Sequence, residues 1–177
     1  MSQNDAPSFE ALLAAAEHSA FHLEMRDTYD VGDEASDFEH WRNTGERDTD
    51  PDSAYWAPWV DLIGRTVARG VTVRRARIVS EPVTEYIRYE HAGASVNVLA
   101  GEEVRWLPRR LASAIPLPGN DFWLFDRTAV LFNHFSGDGG WADPKWEMRT
   151  EPEVIELAAR AFGLVWEHGI PHAKYAV

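Results

Sequence analysis

The chain has 177 residues, 45% of them hydrophobic, with eight Trp, no Cys and a formal net charge of −12. This length and apolar content can fill the core of one domain and exclude disorder throughout, and the lack of cysteine excludes disulfides, thiolate metal sites and a Cys nucleophile. No run approaches the roughly 18 apolar residues of a membrane span, and the first residues lack the basic and apolar regions of a signal peptide, so a cytoplasmic setting is expected.

Ser8 is suited to cap a short helix from Phe9 to about His18. Phe21, Leu23 and Met25 then alternate with mostly polar neighbours, the period of a half-buried strand over 20–25. A second amphipathic helix is predicted from Val31 to Gly45, with Phe38 and Trp41 on one face. Residues 46–53 read as a loop whose Asp52 or Ser53 caps the next helix. That helix, from Ala54 to Arg69, carries Trp56, Trp59, Val60, Ile63 and Val67 at helical spacing, and Gly70 stands where a left-handed C-terminal residue belongs. Val71–Val79 is a β-rich run. Ser80-Glu81-Pro82 has the composition of a helix start, with the helix running to about His91 and ending at the small residues Ala92–Ser95.

Glu103–Leu107 reads as a strand stopped by Pro108. Between Gly119 and His134, two apolar strands fold over a tight Asp126-Arg127-Thr128 turn. Ser136–Gly140 reads as a flexible connection, and Lys145–Arg149 as a further strand. Thr150-Glu-Pro-Glu153 has the form of a capping box for a last helix, with Val154, Ala158, Ala161 and Val165 along one stripe. The alternation of helices and strands predicts an α/β fold, a mixed sheet flanked by helices.

Charge is unevenly spread. Residues 1–52 hold 14 of the 29 acidic groups against three arginines, a net of −11, which leaves −1 for the rest. Arg65, Arg69, Arg74, Arg75 and Arg77 fall within an acid-free stretch. Two readings stand: solvated faces that keep the protein soluble, or an acidic segment lying over the arginines as part of the fold or as a cover. Either way the net anion excludes strong direct nucleic-acid binding. Arg75 and Arg77 share the parity of Val71 and Val73, whereas Arg74 goes with Ala76 and Ile78. At least one arginine therefore points into a packed layer and needs an anionic partner, which Asp121, Asp126, the N-terminal acids or an anionic ligand can supply. Trp56, Trp59 and Trp166 are expected in the core, and Trp123, Trp141 and Trp146 either in the core or along a cleft. His18, His22 and His40 show no recognised ligand spacing, so neither metal nor cofactor is expected.

The order Arg69-Gly-Val-Thr-Val-Arg74, Gly101-Glu-Glu-Val-Arg105, Phe122–Asp126, Ala129–Phe132, Phe162 and Trp166 resembles one half of a phospholipase D fold over roughly 55–167. In that family a His-x-Lys-x-x-x-x-Asp stretch places a nucleophilic imidazole, a phosphate-binding ammonium and a carboxylate on the hairpin. Asp126 fits the last position, but Gly119 and Asp121 stand where His and Lys belong. A glycine offers no nucleophile and an aspartate repels phosphate, so the resemblance implies the scaffold without its chemistry. The phrases at 19–29, 100–105 and 121–126 also resemble an uncharacterised actinobacterial family often encoded beside helix-turn-helix regulators.

The resulting expectation is a degenerate phospholipase D-like half over 53–177 with an acidic α/β N-terminal extension, 1–52, packed on the same domain. It would act without catalysis as a module binding a small anionic ligand or a protein partner. The site residues expected in the hairpin cleft are Arg74, Arg105, Asp121, Trp123, Asp126 and His134. Active family members build a site across two halves, which implies a homodimer here. The alternatives are a divergent hydrolase using a displaced His134/Asp126 pair, and an acidic partner of a helix-turn-helix DNA-binding regulator.

Overall fold

The computed structural model describes residues 7–30, 32 and 34–177. In chain order the elements are α1 (Phe9–Ala15), β1 (Ser19–Glu24), α2 (Ala35–Thr44), α3 (Ala57–Ala68), β2 (Thr72–Val79), α4 (Glu85–Ala100) and β3 (Glu103–Pro108). The hairpin strands β4 (Asp121–Phe125) and β5 (Ala129–Phe135) follow, then β6 (Trp141–Arg149), α5 (Pro152–His168) and the two-residue β7 (Ile170–Pro171). The strands form one mixed sheet in the order β6-β5-β4-β1-β2-β3-β7. β1, β2 and β3 are parallel, and every other pairing is antiparallel.

The acidic N-terminal segment enters this sheet at its centre. β1 pairs with β2 on one side and with β4 on the other, joining the parallel strands to the antiparallel meander. Residues 71–79, 103–107 and 121–135 therefore share a sheet, as the strand patterns predict, but β1 stands between the second strand and the hairpin.

Strand parity divides the core into two layers. Leu23, Ala76, Ile78, Phe122, Leu124 and Val130 pack under Ala158, Phe162 and Val165 of α5. On the opposite face Ala20, Val73, Trp123, Phe125 and Leu131 meet Leu13 of α1 and Ile63 of α3. Farther along that face, Val79, Val104 and Trp106 pack with Tyr86, Ile87 and Tyr89 of α4. Each fully buried aliphatic or aromatic side chain contributes roughly 1.5–3 kcal/mol relative to exposure.

Local signals explain most element boundaries. Ser8 Oγ accepts the Ala11 amide hydrogen at 3.2 Å and starts α1. Gly70, at φ 90°, turns the chain from α3 into β2 in the left-handed conformation that glycine adopts without a Cβ penalty. The predicted start of α2 at Val31 lies outside the described residues; its last turn ends at Gly45.

Several boundaries differ from the sequence reading. Helix α4 begins only at Glu85, where Thr84 Oγ1 accepts from the Ile87 amide at 3.1 Å, and it continues through Ala92–Ser95 to Ala100. The small residues mark a close contact rather than a break, since a Cβ on Gly93 would lie 3.1 Å from Arg47 Nε and 3.2 Å from Trp56. The Thr150 capping box is not formed. Glu151 is the N-cap without a side-chain cap bond, because Arg149 Nε holds its carboxylate at 3.0 Å. The Ser136–Gly140 connection closes as a turn, with the Ser136 amide donating to the Gly140 carbonyl at 2.8 Å, and β6 starts at once at Trp141.

Candidate functional site

The face of the sheet opposite α5 carries an unusual set of side chains for an interior. Even-numbered residues of β1 and odd-numbered residues of β2 and β4 point the same way, so His22 stands between Arg75 and Trp123, and Glu24 lies beside Arg77. His22, Glu24, Arg75, Arg77, Asp121 and Asn133 are all buried. Polar groups in such a layer must be paired or they destabilise the fold.

Pairing is extensive. Glu24 lies between the two arginines, accepting from Arg75 Nη1 through Oε1 and facing Arg77 Nε at 2.7 Å through Oε2. Arg75 Nε also donates to Glu102 Oε2 at 2.9 Å, and the second Glu102 oxygen accepts from Asn97 Nδ2 at 2.8 Å and Trp59 Nε1 at 2.7 Å. Arg77 Nη2 pairs with Glu90, and its guanidinium lies 5.1 Å over the Trp106 ring. His22 stacks on Trp123 at 4.4 Å, its Nδ1 is 3.0 Å from the Phe122 carbonyl and its Nε2 is 3.1 Å from Glu24. Burial opposes the charge on Glu24, but Arg77 and Arg75, with help from His22, hold its carboxyl well below the usual carboxylate range. Burial likewise opposes the charge on Arg75, and Glu102 and Glu24 outweigh it, so the guanidinium stays charged.

Above this floor is a cavity of about 580 Å³, walled by aromatic rings. Trp59 and Trp123 stand on one side and Trp141 and Trp146 on another, while Tyr29, Tyr55, Trp56 and Tyr86 come from segments that cross over the sheet. Asp121 accepts the Met25 amide at 2.8 Å and the Tyr29 hydroxyl, which tethers the chain leaving β1 to the cavity wall. Burial pushes the Asp121 carboxyl up to about 6, against the lowering effect of the Tyr29 hydrogen bond. Glu34 accepts from the Tyr86 hydroxyl at 2.6 Å and is pushed up to about 7 by burial and by the neighbouring charge of Glu90. Arg47 pairs with Asp37 and lies 3.9 Å from the centroid of Tyr89, with the Tyr55 and Trp56 rings at 5.2 Å.

Of the residues expected in a hairpin cleft, Asp121 and Trp123 line this cavity. Arg74 and Arg105 point to the other face, with guanidiniums 4.8 and 4.5 Å from the Trp166 ring centroid; Arg105 also donates to the Trp166 carbonyl at 2.8 Å. Asp126 lies in the hairpin turn, where its carboxylate accepts the amides of Glu17, His18 and Ser19 at 2.7–2.8 Å. His134 Nδ1 is 3.2 Å from the Pro144 carbonyl, and its Nε2 is 3.5 Å from Glu147. His134 and Asp126 are not neighbours: Asp126 lies at the tip of the hairpin and His134 five residues up β5 from Ala129, about 17 Å along the strand at 3.3 Å per residue.

The anionic partner that parity demanded for Arg75 and Arg77 is supplied by Glu24, Glu90 and Glu102. Glu24 is one of the N-terminal acids expected in this role, whereas the sequence reading missed Glu90 and Glu102, and missed Tyr29, Glu34, Tyr86 and Arg47 as residues of the site. Several acids of the N-terminal segment are occupied within the fold: Glu24 on the arginines, Glu34 on Tyr86, Asp37 on Arg47, and Asp27 on Ser80 at 2.7 Å and Arg109 at 3.3 Å.

A family model described as a domain of unknown function, DUF6879, matches residues 7–177. No curated protein shows significant similarity. Solved structures resembling the chain include a phospholipase D family member, Nuc from Salmonella typhimurium, 12% identical, covering 92% of this chain and 86% of that one with a TM-score of 0.48.

Proposed function

We propose that this chain, which belongs to the domain-of-unknown-function family DUF6879, is a non-catalytic binding module that holds a small organic ligand in the cavity over His22, Glu24 and Arg75. One observation carries the reading: a cavity of about 580 Å³ lined by aromatic rings, a size and lining typical of small-molecule sites, lies over buried charges that are already paired. A nucleophile needs a free base beside it. Here His22 is stacked on Trp123 with both ring nitrogens facing acceptors, and the arginines are held by carboxylates on either side. The floor is built to stay fixed, and the rings above it offer apolar area with polar edges.

The His134/Asp126 hydrolase is disfavoured by the separation of the pair along the hairpin and by the use of all the Asp126 contacts in fixing residues 17–19. Fragment screening of the full chain by protein-observed NMR tests the proposal. Hits should move the indole N–H resonances of Trp59 and Trp123 and leave Trp166, on the opposite face, unchanged. A parallel assay with bis(4-nitrophenyl) phosphate should give no turnover that depends on His134. Turnover that vanishes in His134→Ala, or hits confined to the Trp166 face, would overturn the reading.

A further inference from the structure

We infer that the ligand of this cavity is an organic cation, a protonated amine or quaternary ammonium carried on an apolar or aromatic body. The inference rests on the cavity being the binding site and names what it takes. Among the described residues, five carboxyl groups line the cavity, those of Glu10, Glu24, Glu34, Glu90 and Asp121, against three guanidiniums, those of Arg47, Arg75 and Arg77. Each guanidinium is paired in charge, although Arg47 Nε and Nη1 and Arg77 Nε and Nη1 have no hydrogen-bond partner among the described residues. Arg75 is held by Glu24 and Glu102, Arg77 by Glu24 and Glu90, and Arg47 by Asp37. An anion reaching those donors would lie beside Glu24, Glu90 and Asp37, which already neutralise the guanidiniums, and would add uncompensated negative charge. The small anionic ligand suggested by the arginine-rich sequence is therefore not what this arrangement favours.

A cation meets the opposite situation. Two carboxyl groups with no arginine in salt-bridge contact, those of Glu34 and Asp121, stand on the cavity wall beside Tyr86 and Tyr29, and Trp59 and Trp123 line the same cavity. Aromatic faces carry the negative part of the ring quadrupole and attract a desolvated ammonium, and this attraction adds to that of the carboxylates. Burial first, and then the neighbouring carboxylates Glu24 and Glu90, raise Asp121 and Glu34, so a bound cation would favour their charged forms and lower both. A cation supplies the missing neutralisation without breaking the arginine pairs.

Four matched probes test the class on the full chain: phenethylamine, benzyltrimethylammonium, 2-phenylethanol and phenylacetate, read by calorimetry and by the indole resonances of Trp59 and Trp123. The expected result is that at least one cation binds about tenfold or more tighter than the neutral alcohol, a difference of about 1.4 kcal/mol, with phenylacetate weaker than the alcohol. Asp121→Asn should bring cation affinity toward that of the alcohol. Glu34→Gln, which removes no contact to β1, should do the same and keeps the test decisive if the first variant does not fold. Equal or tighter binding of the alcohol or of phenylacetate at these tryptophans overturns the cation inference and leaves the cavity as the site. No response of Trp59 and Trp123 to any of the four overturns both.

Discussion

Asp126 has a φ of 48° and is followed by Arg127 at 56°, two consecutive residues in the left-handed region that side chains with a Cβ rarely occupy. Their conformation is held by the Asp126 carboxylate, which fastens the amides of Glu17, His18 and Ser19 and so joins the α1–β1 junction to the hairpin. Burial pushes this carboxyl up, but the amides of Glu17, Ser19 and His18 outweigh it and leave it lowered. Asp126→Ala should cost about 1–3 kcal/mol in urea unfolding, since charge-assisted bonds are lost and three donors are left short of a partner. At neutral pH Asp126→Asn should cost less, because one amide oxygen remains as an acceptor.

The raised carboxyls act in the opposite sense. The folded state holds protons on Asp121 up to about 6 and on Glu34 up to about 7, whereas the unfolded chain releases them near 3.8 and 4.5. The native state thus binds more protons across this window, and stability should fall as pH rises through it. Glu24 and Asp126 are lowered, so their contributions are complete above the ordinary carboxylate range and are lost as pH falls below it. The melting temperature should therefore peak in mildly acidic solution, and an Asp121→Asn, Glu34→Gln double variant should flatten the decline between pH 5 and 8. An unchanged slope in that variant would show that other groups set it.

At the scale of elements, the central pair β1 and β2 is joined by charge as much as by apolar packing. Removing one member of a buried, hydrogen-bonded ion network leaves its partners uncompensated, so Glu24→Ala should destabilise the fold by about 3–5 kcal/mol. Chemical denaturation would measure this, and a loss below 1 kcal/mol would show that water replaces the carboxylate. The need for such a partner was legible in β2 alone, because Arg75 and Arg77 share the parity of two valines. Its identity was not: β1 reads as a half-buried strand with His22 and Glu24 on the solvent side, and nothing local shows that α1 to α4 and the loops between them cover that side. Parity also separates Arg74 and Arg105 from Trp123, whereas order along the chain placed them together. In α4 the small residues read as an end because composition cannot distinguish a break from a contact. Gly93→Val should cost about 1–3 kcal/mol by crowding Arg47 and Trp56.

For the whole molecule, the position of β1 decides whether the acidic segment is an appendage or part of the frame. A chain of residues 53–177 keeps β2 and β3 with β7, and β4 with β5 and β6, but loses the strand that joins these two groups. β2 meets β1 in parallel over six residue pairs, whereas β4 meets β1 in antiparallel over four, so closing β4 onto β2 directly would need a new register between strands evolved for a different neighbour. The same truncation removes Glu24 from Arg75 and Arg77 and removes Leu13, Ala20 and Leu23 from both core layers. The full chain should unfold in one cooperative step with strong near-ultraviolet tryptophan signals. Residues 53–177 should retain helical far-ultraviolet signal, lose the near-ultraviolet signal, bind ANS and melt without a sharp transition. A cooperative melt of 53–177 with native-like tryptophan signals would instead show that β2 and β4 close without β1, and that the charged ladder across β1 and β2 serves the cavity rather than the fold.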